Sequence, residues 1–256
     1  AVTSDGRLIR TGVYTTKGVV GYDLTRLIIG SEGTLAIITE ATLKLTPKQP
    51  QQKLMAAYYD SMESAAQAVS QIMSQPLTPA ALEFMDENAL NILSEQGSID
   101  LPANTRAMLM VELDGDELTL KQAIDVISKS ADCQGCLQFR SASSAKETAA
   151  LWASRKALSP ALRKIAPKKI NEDIVVPVSR MPELITRLNA LSKKYAIQIV
   201  NFGHAGNGNI HTNLLIDPND GDQLQRAHQC LDEVFKLVLS LKGTLSGEHG
   251  VGLEKQ

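Results

Sequence analysis

The sequence predicts an α+β protein in which helices cover one face of a sheet. Three observations carry this expectation. Stretches of strand length rich in apolar residues alternate with stretches of helical periodicity; some neighbouring strands are separated only by short turns; and Ser, Asp, Gly and Pro fall at the joints, where caps and turns need them.

The first 46 residues read as short strands and turns. Ser4-Asp5-Gly6 has hairpin-turn chemistry, and 34–45 is rich in β-branched residues, as in one long strand or a strand pair. Lys48, Gln49 and Pro50, followed by Gln51 and Gln52, form the polar stretch best suited to a linker. Strand and helix then alternate. A strand over 53–59 leads to a helix over 61–75, with Ser61 placed to cap it and Pro76 beyond its end. A strand over 80–85 leads to a helix over 86–95. A strand over 107–113 is followed by Asp114-Gly115-Asp116 and a helix to about 131. A short strand over 137–140 precedes a long helix over 144–165 with Pro160 near a bend. The last elements are a strand over 173–178, a helix over 182–195, two strands over 197–202 and 210–216 around a Gly/Asn-rich turn, and a helix over 222–241.

Bulk composition narrows the function. The 256 residues are 43% apolar, enough for a core and against disorder. A net charge of −2, with both signs interspersed, argues against a nucleic-acid partner. Three cysteines make no disulfide framework and point to a reducing, cytoplasmic setting. No stretch approaches the ~18–20 apolar residues of a membrane span. With neither an initiator Met nor a signal-peptide pattern, the chain is expected to be a piece of something longer.

Chemistry concentrates in a few segments. In Gly203-His204-Ala205-Gly206-Asn207-Gly208-Asn209-Ile210-His211, two imidazoles flank a tight turn between two apolar strands. Such a pair can hold one cation, although hydrogen-bonding histidines in a polar turn are the ordinary reading. Ser246-Gly247-Glu248-His249-Gly250 adds a carboxylate and an imidazole between glycines. Glu248 can complete a His204, His211, Glu248 ligand set, and His249 can act as a base near neutral pH; a surface loop with a chance pair is the alternative. On the long helix, Trp152, Arg155 and Ser159 share a face, and Arg155 can clamp a carboxylate, though a surface Arg is the commoner case. Gly30-Ser31-Glu32-Gly33-Thr34 is a small-residue loop suited to a nucleotide, without being a GxGxxG or a P-loop. Cys133-Gln134-Gly135-Cys136 has no second pair and no nearby histidine, so no closed zinc site is expected there.

Together, GYDLTRLIIGSEGTLAIITEATLKL, NFGHAGNGNIHTNLL and GTLSGEHGVGLEK resemble the FAD-linked oxidase family of D-lactate dehydrogenase, glycolate oxidase flavin subunit and D-2-hydroxyglutarate dehydrogenase type. The resemblance implies that residues 1–50 are the C-terminal part of an FAD-binding domain. It implies that 51–256 form a ferredoxin-like antiparallel sheet with helices, a substrate domain lacking its last segment. The implied reaction is oxidation of a small D-2-hydroxy acid to the 2-oxo acid with FAD and a divalent metal (zinc first, manganese or iron as alternatives), inactive in the fragment alone. His204, His211 and Glu248 match metal ligands and His249 the base. Arg155, Ser159, Lys169 and Asn213 match substrate contacts; Gly33, Thr34 and Ile37 match positions whose backbone approaches the flavin nucleotide. A homodimer or oxidase-complex subunits, and a cytoplasmic place at the inner face of a membrane, fit such enzymes. Two other functions stay open: a metal-independent alcohol oxidase of the same superfamily, and a non-catalytic assembly subunit.

Overall fold

The structure, a computed structural model, describes residues 1–253 and 255. Two compact units are present: residues 1–48 with 248–256, and residues 49–247. Among the described residues, no helix is long and apolar enough to cross a membrane.

The first unit contains β1 (Val2–Thr3), α1 (Leu24–Ile28) and β2 (Ala36–Ile37). The Ser4–Gly6 turn forms, with Gly6 at φ +79° and its N–H bonded to the Thr3 carbonyl. The long strand expected over 34–45 does not form; only Ala36–Ile37 pairs, with Val2–Thr3. A β-branched run becomes a strand only where another strand pairs with its backbone, and the described residues supply that partner for two residues alone.

The second unit holds the elements from β3 (Gln51–Tyr59), α2 (Met62–Met73), β4 (Ala81–Met85) and α3 (Glu87–Glu95) through β5 (Ala107–Gly115), α4 (Glu117–Ala131), β6 (Cys136–Ser141) and α5 (Ala145–Ile165). It ends with β7 (Lys168–Val175), α6 (Met181–Tyr195), β8 (Gln198–Gly203), β9 (Asn209–Ile216) and α7 (Gly221–Ser240). Its seven strands form one sheet in the order β6-β3-β5-β4-β8-β9-β7, and every named pairing is antiparallel. Helix starts follow capping chemistry: Ser61, Asp86, Asp116, Ser144 and Asp220 each accept a backbone N–H three residues on. The α5 helix continues through Pro160.

Side-chain alternation splits the core in two. Met55, Ala57 and Tyr59 of β3 face one layer with α2, α4, α6 and α7. Leu54, Ala56 and Tyr58 face the other, with α3 and α5. Helices were expected on one face; the second layer is an addition, and it is the one that matters for the site. The β7 strand also begins at Lys168, ahead of the expected 173. Its early residues are polar because Lys169, Asn171 and Asp173 alternate with Ile170 and Ile174, which belong to the opposite core.

Asp86 ties α3 to the sheet. One oxygen caps Ala89 N at 2.8 Å; the other accepts Asn201 N at 2.6 Å and Asn201 Nδ2 at 3.0 Å. The residue is buried. Losing a cap costs ~1 kcal/mol, and each buried N–H left unpaired costs ~1–3 kcal/mol. Asp86→Ala is therefore expected to lower unfolding free energy by about 2–4 kcal/mol, read from the denaturant midpoint; a shift below about 1 kcal/mol would contradict this account of the α3–β8 junction.

Candidate active site

The site in the second unit is built on the turn between β8 and β9. Phe202 and His211 are opposite each other in the ladder, and so are Val200 and Asn213. Phe202 belongs to the core layer of α3 and α5, so His211 and Asn213 project to that side too. His204 follows β8 directly, ahead of a 3₁₀ turn over Ala205–Asn207. The imidazoles of His204 and His211 meet edge to face, ring centres 5.4 Å apart, and each offers a nitrogen within 4.8 Å of the other's.

The turn closes this tightly because of Gly208. Its φ is +72°, and its carbonyl accepts Val176 N at 3.0 Å. A Cβ at 208 would lie 1.9 Å from the Val176 carbonyl oxygen.

Glu83 and Arg155 lie beside the histidines. Glu83, on β4, accepts Arg155 Nε at 2.7 Å, and its other oxygen hydrogen-bonds His204 Nδ1. The guanidinium carbon of Arg155 stands 4.7 Å over the Phe202 ring centre. The Arg155 and Glu83 side chains are 12% and 4% exposed, so the pair lies largely out of water. Burial works to raise the Glu83 pKa, yet the bond to His204 and the charge of Arg155 outweigh it and hold the carboxyl below its usual value.

The α5 face predicted from spacing meets the sheet at three strands. Trp152 Nε1 donates to Glu112 of β5 at 3.1 Å, Arg155 to Glu83 of β4, and Ser159 Oγ accepts Lys169 Nζ of β7 at 3.0 Å. Burial, then the charge of Arg163, lowers the Lys169 pKa. Asn213 is fully buried; its Nδ2 donates to the Val200 and His211 carbonyls, and its Oδ1 has no hydrogen-bond partner among the described residues.

On β7, Asp173 stands opposite His211. Its carboxylate accepts Ser246 Oγ at 3.1 Å and Gly247 N at 3.0 Å. The backbone of 244–246 runs along β7 through isolated bridges to Val175 and Asp173. Glu248 and His249 come next in the chain and belong to the first unit.

In that first unit, Gly33 has φ +79° and follows Glu32 at φ +51°. A Cβ at 33 would lie 3.2 Å from Ile37 Cδ1. Thr34 donates through both N and Oγ1 to the Ser31 carbonyl, and Ile37 is exposed. Glu32 accepts the N–H groups of Val251 and Gly252 at 2.6 and 2.8 Å, which joins the glycine loop to 251–252 within the unit.

The structure thus brings His204, His211 and Arg155 together through Glu83 and Phe202, and Ser159 together with Lys169. Sequence reasoning missed Glu83, Phe202 and Asp173. Glu83 did leave a signal: it is the one charged residue of an otherwise apolar strand, Ala-Leu-Glu-Phe-Met. Cys133 and Cys136 are half-buried thiols; burial raises both pKa values, Cys136 to about 11, opposite to a reactive thiolate.

Comparison with known proteins adds a family. Residues 48–256 match the model of the FAD linked oxidases, C-terminal domain. The glycolate oxidase subunit GlcD of Bacillus subtilis (strain 168) is 39% identical over 251 residues, covering 98% of this chain and 53% of that protein. The D-lactate dehydrogenase of Archaeoglobus fulgidus is 33% identical over 264 residues, covering 100% of this chain and 55% of that protein. The chain spans about half the length of these relatives. Among solved structures, the 4-ethylphenol oxidase of Gulosibacter chungangensis aligns with a TM-score of 0.69 at 15% identity, over 95% of this chain and 56% of that one, a likeness of fold.

Gly208→Ala is expected to destabilise the protein by at least about 2 kcal/mol, from the left-handed backbone and the contact with Val176. Thermal melting checks this; an unchanged midpoint would mean that the His204–His211 turn does not depend on that glycine.

Proposed function

The chain belongs to the FAD linked oxidases through their C-terminal domain, and from that premise we propose that it is the substrate half of an FAD-dependent dehydrogenase for small D-2-hydroxy acids. The observation that carries this reading is one sheet face on which a paired imidazole site and a buried guanidinium share a carboxylate. A 2-hydroxy acid presents the matching groups: a carboxylate for Arg155 and a hydroxyl beside it for a cation.

The residues fit a divalent cation. His204 and His211 supply two neutral nitrogen donors, and Glu248, one peptide bond beyond the anchored Gly247, supplies an anionic oxygen. This His, His, Glu set suits zinc, with manganese or iron as alternatives. When bound, the cation supplies Lewis acidity that lowers the pKa of the substrate hydroxyl. The residues for FAD are Gly33, Thr34 and Ile37, where a glycine loop without a Cβ adjoins an exposed apolar side chain. When bound, FAD supplies the two-electron oxidant.

The chain's own residues do the rest. Arg155 binds the substrate carboxylate through N–H groups other than the Nε–H held by Glu83. Lys169 and Ser159 bound the substrate on the β7 side, and Asn213 Oδ1, which has no hydrogen-bond partner among the described residues, is an acceptor for a substrate hydroxyl or a bridging water. His249 takes the hydroxyl proton as the α-carbon gives up its hydride, a contribution of about 10²–10⁴-fold in rate. In this reading residues 1–50 are the end of the FAD-binding domain, and the fragment alone is inactive.

The relative named a glycolate oxidase subunit favours a partner subunit in a larger complex. A cytoplasmic location, with attachment to the inner face of a membrane, belongs to the same reading and rests on the sparse unpaired cysteines.

The deciding experiment assays the full-length protein with an artificial electron acceptor against glycolate, both lactate enantiomers and D-2-hydroxyglutarate. D-acids or glycolate are expected to be oxidised, chelation to stop turnover, and zinc or manganese to restore it. Turnover that survives complete metal removal would favour a metal-independent alcohol oxidase; no turnover on any hydroxy acid would favour an assembly role. Two variants test the residues. Arg155→Lys should raise KM by about tenfold or more, because Lys lacks the bidentate fork. His249→Ala should cut kcat by at least about 10² while metal content is kept. Normal turnover in His249→Ala removes that residue from the proton transfer.

A further inference from the structure

Glu83 has no role in the chemistry derived so far, yet the site is arranged around it. It sits on β4 with its side chain 4% exposed, on the same side of the sheet as buried Met85 and opposite to Leu82 and Phe84. A carboxylate in such surroundings is tolerated only with close partners. Its partners are far away in sequence: Arg155 on α5, 72 residues on, and His204 after β8, 121 residues on.

Each contact removes an ambiguity. Arg155 has five N–H donors and more than one edge that can grip a carboxylate. Holding Nε–H at 2.7 Å, with the guanidinium carbon 4.7 Å over the Phe202 ring centre, leaves the edge of the two terminal nitrogens for an incoming anion. A neutral imidazole has two tautomers. A carboxylate on Nδ1 selects Nδ1–H and leaves the Nε2 lone pair for a cation.

We propose that Glu83 is the positioning residue of the site, the carboxylate that selects both the anion-binding edge of Arg155 and the cation-binding nitrogen of His204. The inference rests on the cation-and-carboxylate reading of the site given above. It makes the two subsites interdependent: both weaken when the Glu83 carboxylate is lost, although Glu83 need touch neither ligand.

Glu83→Gln separates positioning from space filling. The amide has nearly the same volume and can still accept from Arg155 through its oxygen. Its NH₂ then faces His204 Nδ1 and selects the opposite tautomer, with Nε2 protonated. The test uses the purified full-length flavoprotein, stripped of metal. Zn²⁺ is titrated against a chromogenic chelator. Oxalate, a non-reacting dicarboxylate, is titrated by calorimetry with the metal-free protein. The tautomer of His204 is read by ¹⁵N NMR of histidine-labelled protein, assigned by its loss in His204→Ala, at a pH where the ring is neutral.

In the wild type, the Nδ1–H tautomer is expected at His204. In Glu83→Gln, the tautomer should switch, Zn²⁺ affinity should fall about 10–100-fold, and oxalate binding should weaken by at least about fivefold. Zn²⁺ and oxalate affinities both within twofold of wild type in a folded Glu83→Gln, with the tautomer unchanged, would overturn the proposal. Should the variant fail to fold, the wild-type spectrum decides: an Nε2–H tautomer at His204 overturns it. Absence of Zn²⁺ binding in the wild type would overturn the cation reading and this inference together, whereas Zn²⁺ binding that is lost in His204→Ala but kept in Glu83→Gln removes only the role of Glu83.

Discussion

Polar side chains on a sheet face that helices cover must satisfy one another, and the site follows from that constraint. The face under α3 and α5 is lined by Leu54, Ala56, Tyr58, Met108 and Met110 over much of its extent. At its β4–β8–β9–β7 end, the same alternation presents Glu83, His211, Asn213, Asp173 and Lys169. Water cannot solvate all of these, so each charge needs a partner within reach. Arg155 and Ser159 of α5 provide two, and His204 a third. A set of groups held by mutual pairing is also held in a fixed geometry, as a binding site requires.

The backbone around the histidines is constrained as tightly as the side chains. Gly208 lies against Val176, and the N–H of Gly247 meets both the carbonyl and the carboxylate of Asp173. A Cβ at 247 would lie 1.9 Å from Asn209 Nδ2, so this position too leaves no room for a side chain. Glycine-rich motifs that look like permissive loops are here places of closest packing. Their sequence is dictated by what is absent at Cα, and His204, His211 and Glu248 are the residues between those glycines that keep a functional side chain.

The two units differ in how they are held. Residues 49–247 contain nearly all the buried apolar side chains, on both sides of one antiparallel sheet. In 1–48, Ile28 and Ala36 are the buried apolar residues among those described, while Tyr14, Val19, Val20, Tyr22 and Leu45 stand almost fully exposed. Burial of apolar area is the main stabilising term in folding. The fold of the second unit is therefore explained by its own packing, and that of the first rests on local turns, the β1–β2 pair and the bonds from Glu32 to Val251 and Gly252.

The local level was legible in the sequence. Ser61 announced its helix, and the starts near Asp86, Asp116 and Ser144 were placed to within a residue or two, because capping is a contact of three residues' reach. The two glycine-framed motifs stood out because few constraints besides close approach and ligation explain such residues together. The strand reading of 34–45 held only for Ala36–Ile37, and the start of β7 was missed, because strand identity depends on a partner far along the chain. That Glu83, Phe202 and Asp173 join the site was likewise beyond the sequence. Nothing in the spacing of Glu83, Arg155 and His204 says that they meet; an antiparallel sheet with a helix laid across it brings them together. Sequence alone determined the elements and the chemical repertoire, since both are set within a few residues. Only the tertiary structure decided which carboxylate holds which cation, because the pairing of buried charges is settled by strand order and face.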